Sequence, residues 1–397
     1  MLPKIRKKKL EANIWKFYIY RVFSSLIFVI PVFVLFYLDN GLSMTQVMIL
    51  QSVYSAFIMI SVVPAGIVAD YVGRKKVLIA NALFFMLSWA LFALGHNFAQ
   101  FLIAEATSAI SAGLWMASGS AFFYDTLREL GREGSYKRLF GNVVGINNIT
   151  WGLSSLAGGF IAVYGLRVSF WATVIVCFLA LMVTFSFTDT ERFKHGDKHY
   201  LTHLKEASKF AATHPRIRML IIYSAIMLAV WFSGFMLYQP YLQSINIPLV
   251  YFGFIYFAIN MLAAAGSRMA DKIEAILGEK KILTILLFVF AVCYLGMSKQ
   301  LYILGFIFPV VLAFAGGVFD PVLSDYMNKH IESSHRATVL SLQTLLTEFM
   351  CTLSAPFFGW IVDFWSLKTA FITAAIILAI NLFILIGAFT IIRRRER

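Results

Sequence analysis

Polar residues in this chain of 397 residues are gathered into short connections between long apolar blocks. The blocks exceed the length of ordinary core helices, and a helix crossing the hydrocarbon layer needs about 20 apolar residues. Twelve blocks qualify, at about residues 17–38, 45–65, 77–95, 98–124, 139–163, 168–187, 219–242, 250–270, 282–298, 301–326, 338–362 and 369–392, numbered spans 1 to 12. The pattern predicts an all-α membrane protein with twelve transmembrane helices. The longest connection, 188–218, separates a six-helix bundle in 1–187 from a second in 219–397. Within it Tyr200, Leu201, Leu204, Ala207 and Ala211 recur at helical spacing and stop at Pro215. That predicts an amphipathic helix lying on the membrane face.

Composition agrees, because 60% hydrophobic and 14% charged residues exclude an ordinary soluble enzyme. A net charge of +14 fits nucleic acid, anionic lipid or membrane topology equally well until the charges are located. All but four of the 34 Lys and Arg fall in alternate connections, from Lys4 and Arg6 through Arg74, Lys75, Lys76, Arg128 and Arg132 to Arg393–Arg395. The exceptions are Arg167, Lys299 and Lys368 in the opposite connections and Arg21 inside span 1. The positive-inside rule then places both termini in the cytoplasm, and no nucleic acid partner is needed. Span 1 is longer than a signal-peptide core and eleven spans follow, so it is expected to be retained. Cys177, Cys293 and Cys351 all fall in spans, which implies neither a disulfide framework nor a metal pair. His195, His199 and His203 share one face of the linker helix, best explained as a solvated face because no carboxylate or Cys completes a ligand set. No Walker A loop, HExxH, GxSxG or dinucleotide fingerprint is present, so neither enzyme chemistry nor a cofactor is expected.

The halves repeat at an offset of about 200 residues. Ala69-Asp70 before Gly73 and Lys75-Lys76 recurs as Ala270-Asp271 before Gly278 and Lys280-Lys281, with four extra residues between Asp and Gly. Asp125 recurs as Asp325, and Gly159 as Gly359.

Between spans 2 and 3 stands Gly66-Ile67-Val68-Ala69-Asp70-Tyr71-Val72-Gly73-Arg74-Lys75-Lys76. This segment resembles the loop signature of the major facilitator superfamily: Gly, three residues, Asp, two residues, Gly and a basic run. Span count, the central linker and the weaker second copy extend the resemblance over the whole chain. Gly66 is expected to allow close approach of a neighbouring helix and Gly73 a tight turn. Asp70, Arg74 and Asp125 are placed to pair, with Lys75 beside them, as a cytoplasmic gate. Asp271, Lys280 and Asp325 are expected to form the corresponding gate of the second half. The resemblance also implies that the loop acid meets the N-terminus of helix 11, and that helices 1, 4, 7 and 10 line a central cavity between two pseudo-repeats.

Arg21, Glu105, Asp320 and Glu348 sit well inside spans, where a charge costs about 2.5–3.5 kcal/mol and persists mainly when paired or functional. Glu105, twenty residues before Asp125, stands where drug-exporting members usually carry an Arg, and a carboxylate there can bind and release protons. Glu348 is a second proton or cation candidate. Arg21 and Asp320 are expected at similar depth, to pair or gate, with snorkelling the alternative for Arg21. Gly316-Gly317 and Pro321 mark span 10 as a bending helix. Ser154-Ser155 stands in span 5 where exporters carry Gly-Pro, so direction stays open. Tyr20, Trp115, Trp231, Tyr238, Gln239 and Phe319 are the expected cavity lining, a set that favours an amphiphilic or aromatic compound over a sugar. The resemblance thus implies a monomeric secondary transporter of the cytoplasmic membrane, with proton-coupled efflux leading. An importer of an organic nutrient and a non-transporting sensor remain the alternatives.

Overall fold

The computed structural model describes residues 3–190, 214–331 and 336–395. The predicted linker helix and its three histidines lie outside them. The described residues hold helices and no strand. In chain order the helices are α1 (Lys4–Ser25), α2 (Phe33–Asp39), α3 (Met44–Val72), α4 (Arg74–Leu94), α5 (Phe98–Glu129), α6 (Tyr136–Ala162) and α7 (Leu166–Phe185). There follow α8 (Pro215–Met236), α9 (Tyr238–Ser244), α10 (Leu249–Leu277), α11 (Glu279–Ser298), α12 (Ile307–His330), α13 (Arg336–Phe364) and α14 (Leu367–Arg395). Among the described residues eleven stretches are long and apolar enough to span a membrane, α1 and α2 counting as one. The remaining predicted span is α6, 27 residues long, whose Gly, Asn and Ser residues dilute its hydropathy.

Spans 1 and 7 are each broken. Pro31 lacks the N–H that would continue α1 into α2, and the break frees backbone groups that lipid cannot satisfy. The Phe28 N–H accordingly donates to Thr173 Oγ1 at 3.2 Å. The Phe28 carbonyl packs against Gly158, where a Cβ would come within 2.0 Å of the oxygen. In span 7, α8 gives way to α9 at Leu237, three residues before Pro240.

The chain divides into two compact units. In the first, α4 packs on α5 and α7, and α1 on α6 and α7. Phe17, Tyr20, Leu78, Phe122, Phe123, Leu181 and Phe187 form a buried core. Asn13 and Thr188 exchange two hydrogen bonds of 2.9 Å, which fasten the chain beyond α7 to α1. Arg167 ties α7 to the end of α4 and to Asn40 through the Ala93 and Gly95 carbonyls and the Asn40 amide oxygen. In the second unit α11 packs on α12 and α14, and α8 on α13 and α14. The same pairings recur span for span, the structural counterpart of the 200-residue repeat.

The units do not follow the sequence halves throughout. Residues 43–52, which open α3, cluster with the second unit, and residues 249–257, which open α10, with the first. Small residues permit both seams: a Cβ on Gly159 would meet Gly253 N at 2.7 Å, and one on Gly359 the Met44 oxygen at 2.8 Å. Ser52 Oγ adds a hydrogen bond to the Thr352 carbonyl at 2.8 Å. These contacts lead to a packing prediction. Gly158→Val, forced against the Phe28 carbonyl, is expected to cost about 1–3 kcal/mol, seen as a lower melting temperature in detergent. Gly387→Val, where a Cβ meets nothing within 4 Å, serves as the control that leaves melting unchanged.

Candidate functional site

The turn between α3 and α4 is built on Gly73, whose φ of +101° is closed to L side chains. Its N–H bonds back to the Ala69 carbonyl at 3.1 Å, ending α3, and the next residue, Arg74, opens α4. Arg74 Nη2 lies 3.3 Å from Asp70 Oδ1 and its Nε 3.6 Å from Asp125 Oδ2. Its Nη1 donates to the Ala117 carbonyl on α5 at 2.5 Å. One half-buried guanidinium therefore binds the end of α3 to the last turns of α5, the arrangement the loop motif predicts. Arg6 adds a 2.6 Å pair with Glu129 nearby. Lys75 makes no hydrogen bond or ion pair among the described residues. Gly66 departs from expectation, because a Cβ there would meet nothing within 4 Å, and no close approach explains it in this conformation.

The second copy of the turn keeps the backbone and inverts the charge. Gly278 has φ +76°, its N–H reaches the Glu274 carbonyl at 2.7 Å, and Glu279 opens α11. Lys329 on α12 pairs with Asp325 at 2.6 Å, Glu279 at 2.7 Å and Glu274 at 3.2 Å. The helix-opening residue is now the acid and its partner across the bundle the cation. The three carboxylates lie close enough to suggest a metal, but the Lys329 ammonium already pairs with all three. Of the expected second gate only Asp325 takes part. Asp271 is exposed and unpaired among the described residues, and Lys280 lies 5.5 Å from the Phe389 ring. The four extra residues add about one helical turn to α10, which carries Glu274 rather than Asp271 to the glycine. Lys329 was legible, since it stands 200 residues after Glu129 just as Asp325 stands after Asp125.

At the opposite ends of these helices the start of α3 is capped twice. Ser43 and Gln46 form a reciprocal capping box, with Gln46 N–H on Ser43 Oγ and Ser43 N–H on Gln46 Oε1. The Asp363 carboxylate, from the end of α13, accepts the next two N–H groups, Met44 at 2.9 Å and Thr45 at 2.7 Å, and the Thr45 hydroxyl at 2.5 Å. An anion is favoured there by the helix dipole as well as by the unpaired N–H groups. Nothing local in the sequence around Asp363 marks the contact.

The charges within the spans separate. Glu105 is buried and accepts from Tyr37 Oη at 2.7 Å, and the Tyr37 ring packs in turn on Phe92 and Phe101. Glu348 is half-buried on α13, whereas Asp320 is exposed on α12 and has no partner among the described residues. Arg21 is engaged inside the first unit by Asn147 and by the Trp115 ring, which accounts for it without Asp320 and without snorkelling. Four of the expected lining residues are buried: Tyr20, which donates to Asn81 at 2.7 Å, Tyr238, Gln239 and Phe319. Their burial makes them packing residues in this conformation. Trp115 and Trp231 remain half-exposed, and Gly316 accommodates the Trp231 indole, which a Cβ would meet at 2.3 Å.

The sequence pattern of the Major Facilitator Superfamily matches residues 18–298 and 265–397. The chain is 23% identical over 362 residues to an uncharacterized MFS-type transporter, YxaM, of Bacillus subtilis (strain 168), covering 88% of this chain and 89% of that one. It is 26% identical over 168 residues to the quinolone resistance protein NorA of Staphylococcus aureus, spanning 42% of each. Among solved structures, the nucleoside transporter NupG superposes with a TM-score of 0.78 at 13% identity, over 96% of this chain and 98% of that one. A POT family peptide transporter gives 0.71 at 14%, over 98% and 97%.

The two motif glycines make a paired prediction. Gly73→Ala is expected to cost about 1–3 kcal/mol of stability because an L residue is strained at that φ, whereas Gly66→Ala should leave thermal unfolding in detergent unchanged. Equal melting of the two variants would contradict the geometry.

Proposed function

The chain belongs to the major facilitator superfamily, and on that premise we propose that it exports a small amphiphilic organic molecule across the cytoplasmic membrane in exchange for protons. It does so by alternating access, with both termini in the cytoplasm. The observation that carries this reading is the fastening of α3. One end is held by Asp363 of α13 and the other by Arg74, between Asp70 and Asp125. Both fastenings consist of a few ionic hydrogen bonds over glycines and small side chains, which break and form at modest cost. We assign the Asp363 cap to the state open toward the cytoplasm, in which Arg74 already reaches Asp70 and Asp125 at 3.3 and 3.6 Å, and a tighter, fully closed Arg74 gate to the opposite state. The close approach that Gly66 permits then belongs to that second state. Repeat-built transporters rock in this manner about a midplane site.

Proton coupling is assigned to Glu105, Asp320 and Glu348. Glu105 supports it by its burial within a span and by the hydrogen bond it accepts from Tyr37 Oη at 2.7 Å. Export is supported by the partial likeness to NorA, a quinolone resistance protein, over 42% of each chain. With no nucleotide-binding loop in the sequence, an ion gradient is the energy source that fits.

Proteoliposomes with an imposed pH gradient test the assignment. Gradient-driven movement of a fluorescent amphiphile in exchange for protons is expected. Uptake together with protons would replace it by import, and absence of flux by a sensor role. Arg74→Ala, which removes charge-assisted hydrogen bonds worth about 1.5–3 kcal/mol, should slow exchange by roughly tenfold or more. Glu105→Gln should uncouple flux from the gradient, and full coupled transport by that variant would take Glu105 out of the mechanism.

A further inference from the structure

Arg21 lies deep in the first unit. Its partner Trp115 stands 14 residues before the end of α5 at Glu129, and Asn147 stands 11 residues after the start of α6 at Tyr136. At a rise of about 1.5 Å per residue this is roughly 16–21 Å from those helix ends. The guanidinium carbon sits 4.3 Å from the centre of the Trp115 ring. Nη2 donates to Asn147 Oδ1, which also accepts the Ser25 hydroxyl at 2.7 Å, so the amide is held with its oxygen toward the cation. Trp115 is itself fixed against Phe17 and Tyr20. These neighbours set the position of the guanidinium, yet all are neutral.

No carboxylate pairs with Arg21 among the described residues, and its Nε has no acceptor among them. The acids of the first unit near its helices are engaged elsewhere: Glu105 by Tyr37, Asp70 and Asp125 by Arg74, and Glu129 by Arg6. An indole face and an amide dipole offset part of the charge, but a cation held in a membrane protein without a counter-ion is expensive and marks a binding group. A neutral cradle also has a functional advantage. An acid beside Arg21 would compete with an incoming anion, whereas an amide and a ring orient the fork and leave its charge available.

We propose that Arg21 is the anion-recognition group of the transport site, binding the carboxylate or phosphate monoester of an amphiphilic organic substrate whose apolar body lies against Trp115. This rests on the transport function proposed above and narrows its substrate to organic anions or zwitterions. A guanidinium suits either group because it offers paired N–H donors to two oxygens.

The test is binding to purified protein in detergent, using probes matched in their apolar part: 1-naphthoate, 1-naphthyl phosphate and 1-naphthylmethylammonium, with phosphatidylglycerol as a separate arm. The two anions should raise the melting temperature of the wild type, and Arg21→Gln should lose about tenfold or more in their affinity without changing the response to the ammonium probe. Arg21→Lys should retain part of it. Asn147→Asp supplies the missing counter-ion in place, so it should melt higher than wild type and bind the anions more weakly, which keeps the test open if Arg21→Gln fails to fold. Anion binding unaltered in both Arg21→Gln and Asn147→Asp would overturn the proposal. So would stabilisation by the ammonium probe alone, or an Arg21-dependent effect confined to phosphatidylglycerol, which would make this a lipid site. Because binding is read without flux, a protein that binds the anions through Arg21 but moves nothing would refute transport while leaving the site in place.

Discussion

A hydrocarbon solvent offers neither hydrogen bonds nor counter-ions, and most of this architecture follows from that constraint. The chain answers it with helices throughout the described residues and interrupts them only where protein supplies the missing partners. At the break in span 1, Thr173 takes the freed N–H of Phe28 and Gly158 makes room for its carbonyl. The same constraint makes each charge away from water either paired, as Arg74 is with Asp70 and Asp125, or set aside for a ligand, as Arg21 is proposed to be. Glycine and serine along α6, α10 and α13 let backbones meet closely, where side-chain packing rather than the hydrophobic effect holds helices together.

The two halves show what a duplicated fold conserves. Both keep a glycine with positive φ between the second and third spans, at Gly73 and Gly278, because the turn cannot be built otherwise. Both keep an ion pair between the residue after that glycine and the fourth helix, but the signs are exchanged: Arg74 with Asp125, Glu279 with Lys329. The geometry needs opposite charges across the gap and is indifferent to which side carries which. The first copy leaves a guanidinium with donors shared between two acids, whereas in the second one ammonium pairs with three carboxylates. That difference is the reason the gate role is proposed for the first copy.

Long-period features were legible in the sequence and short contacts between distant segments were not. Apolar length gave the spans and the Gly-Asp-Gly-Arg spacing gave the Asp70–Arg74 pair, since both are local, while Asp125 was placed beside them by the family resemblance. The second network was misplaced because four inserted residues shift the register by a turn, which brings Glu274 in and leaves Asp271 exposed. Asn147 and Asp363 escaped notice because an amide in a polar helix and an acid at a helix end are ordinary residues until folding brings Arg21 or the start of α3 to them. The buried Tyr20, Tyr238, Gln239 and Phe319 could not be told from exposed residues of the same spans, because helical periodicity in a membrane does not distinguish a cavity from a neighbouring helix.

The central claim is that the Asp363 cap stabilises one state of an equilibrium and that the Arg74 contacts, present with it at 3.3 and 3.6 Å, tighten and complete in the other. Spin labels at the exposed positions Lys76 and Thr344, in a background without the three native cysteines and in lipid nanodiscs, measure that equilibrium directly as a distance distribution. Two populations are predicted, with Asp363→Asn enriching the shorter distance and Arg74→Ala the longer. A single distribution unchanged by both substitutions, or shifted the same way by both, would contradict the account.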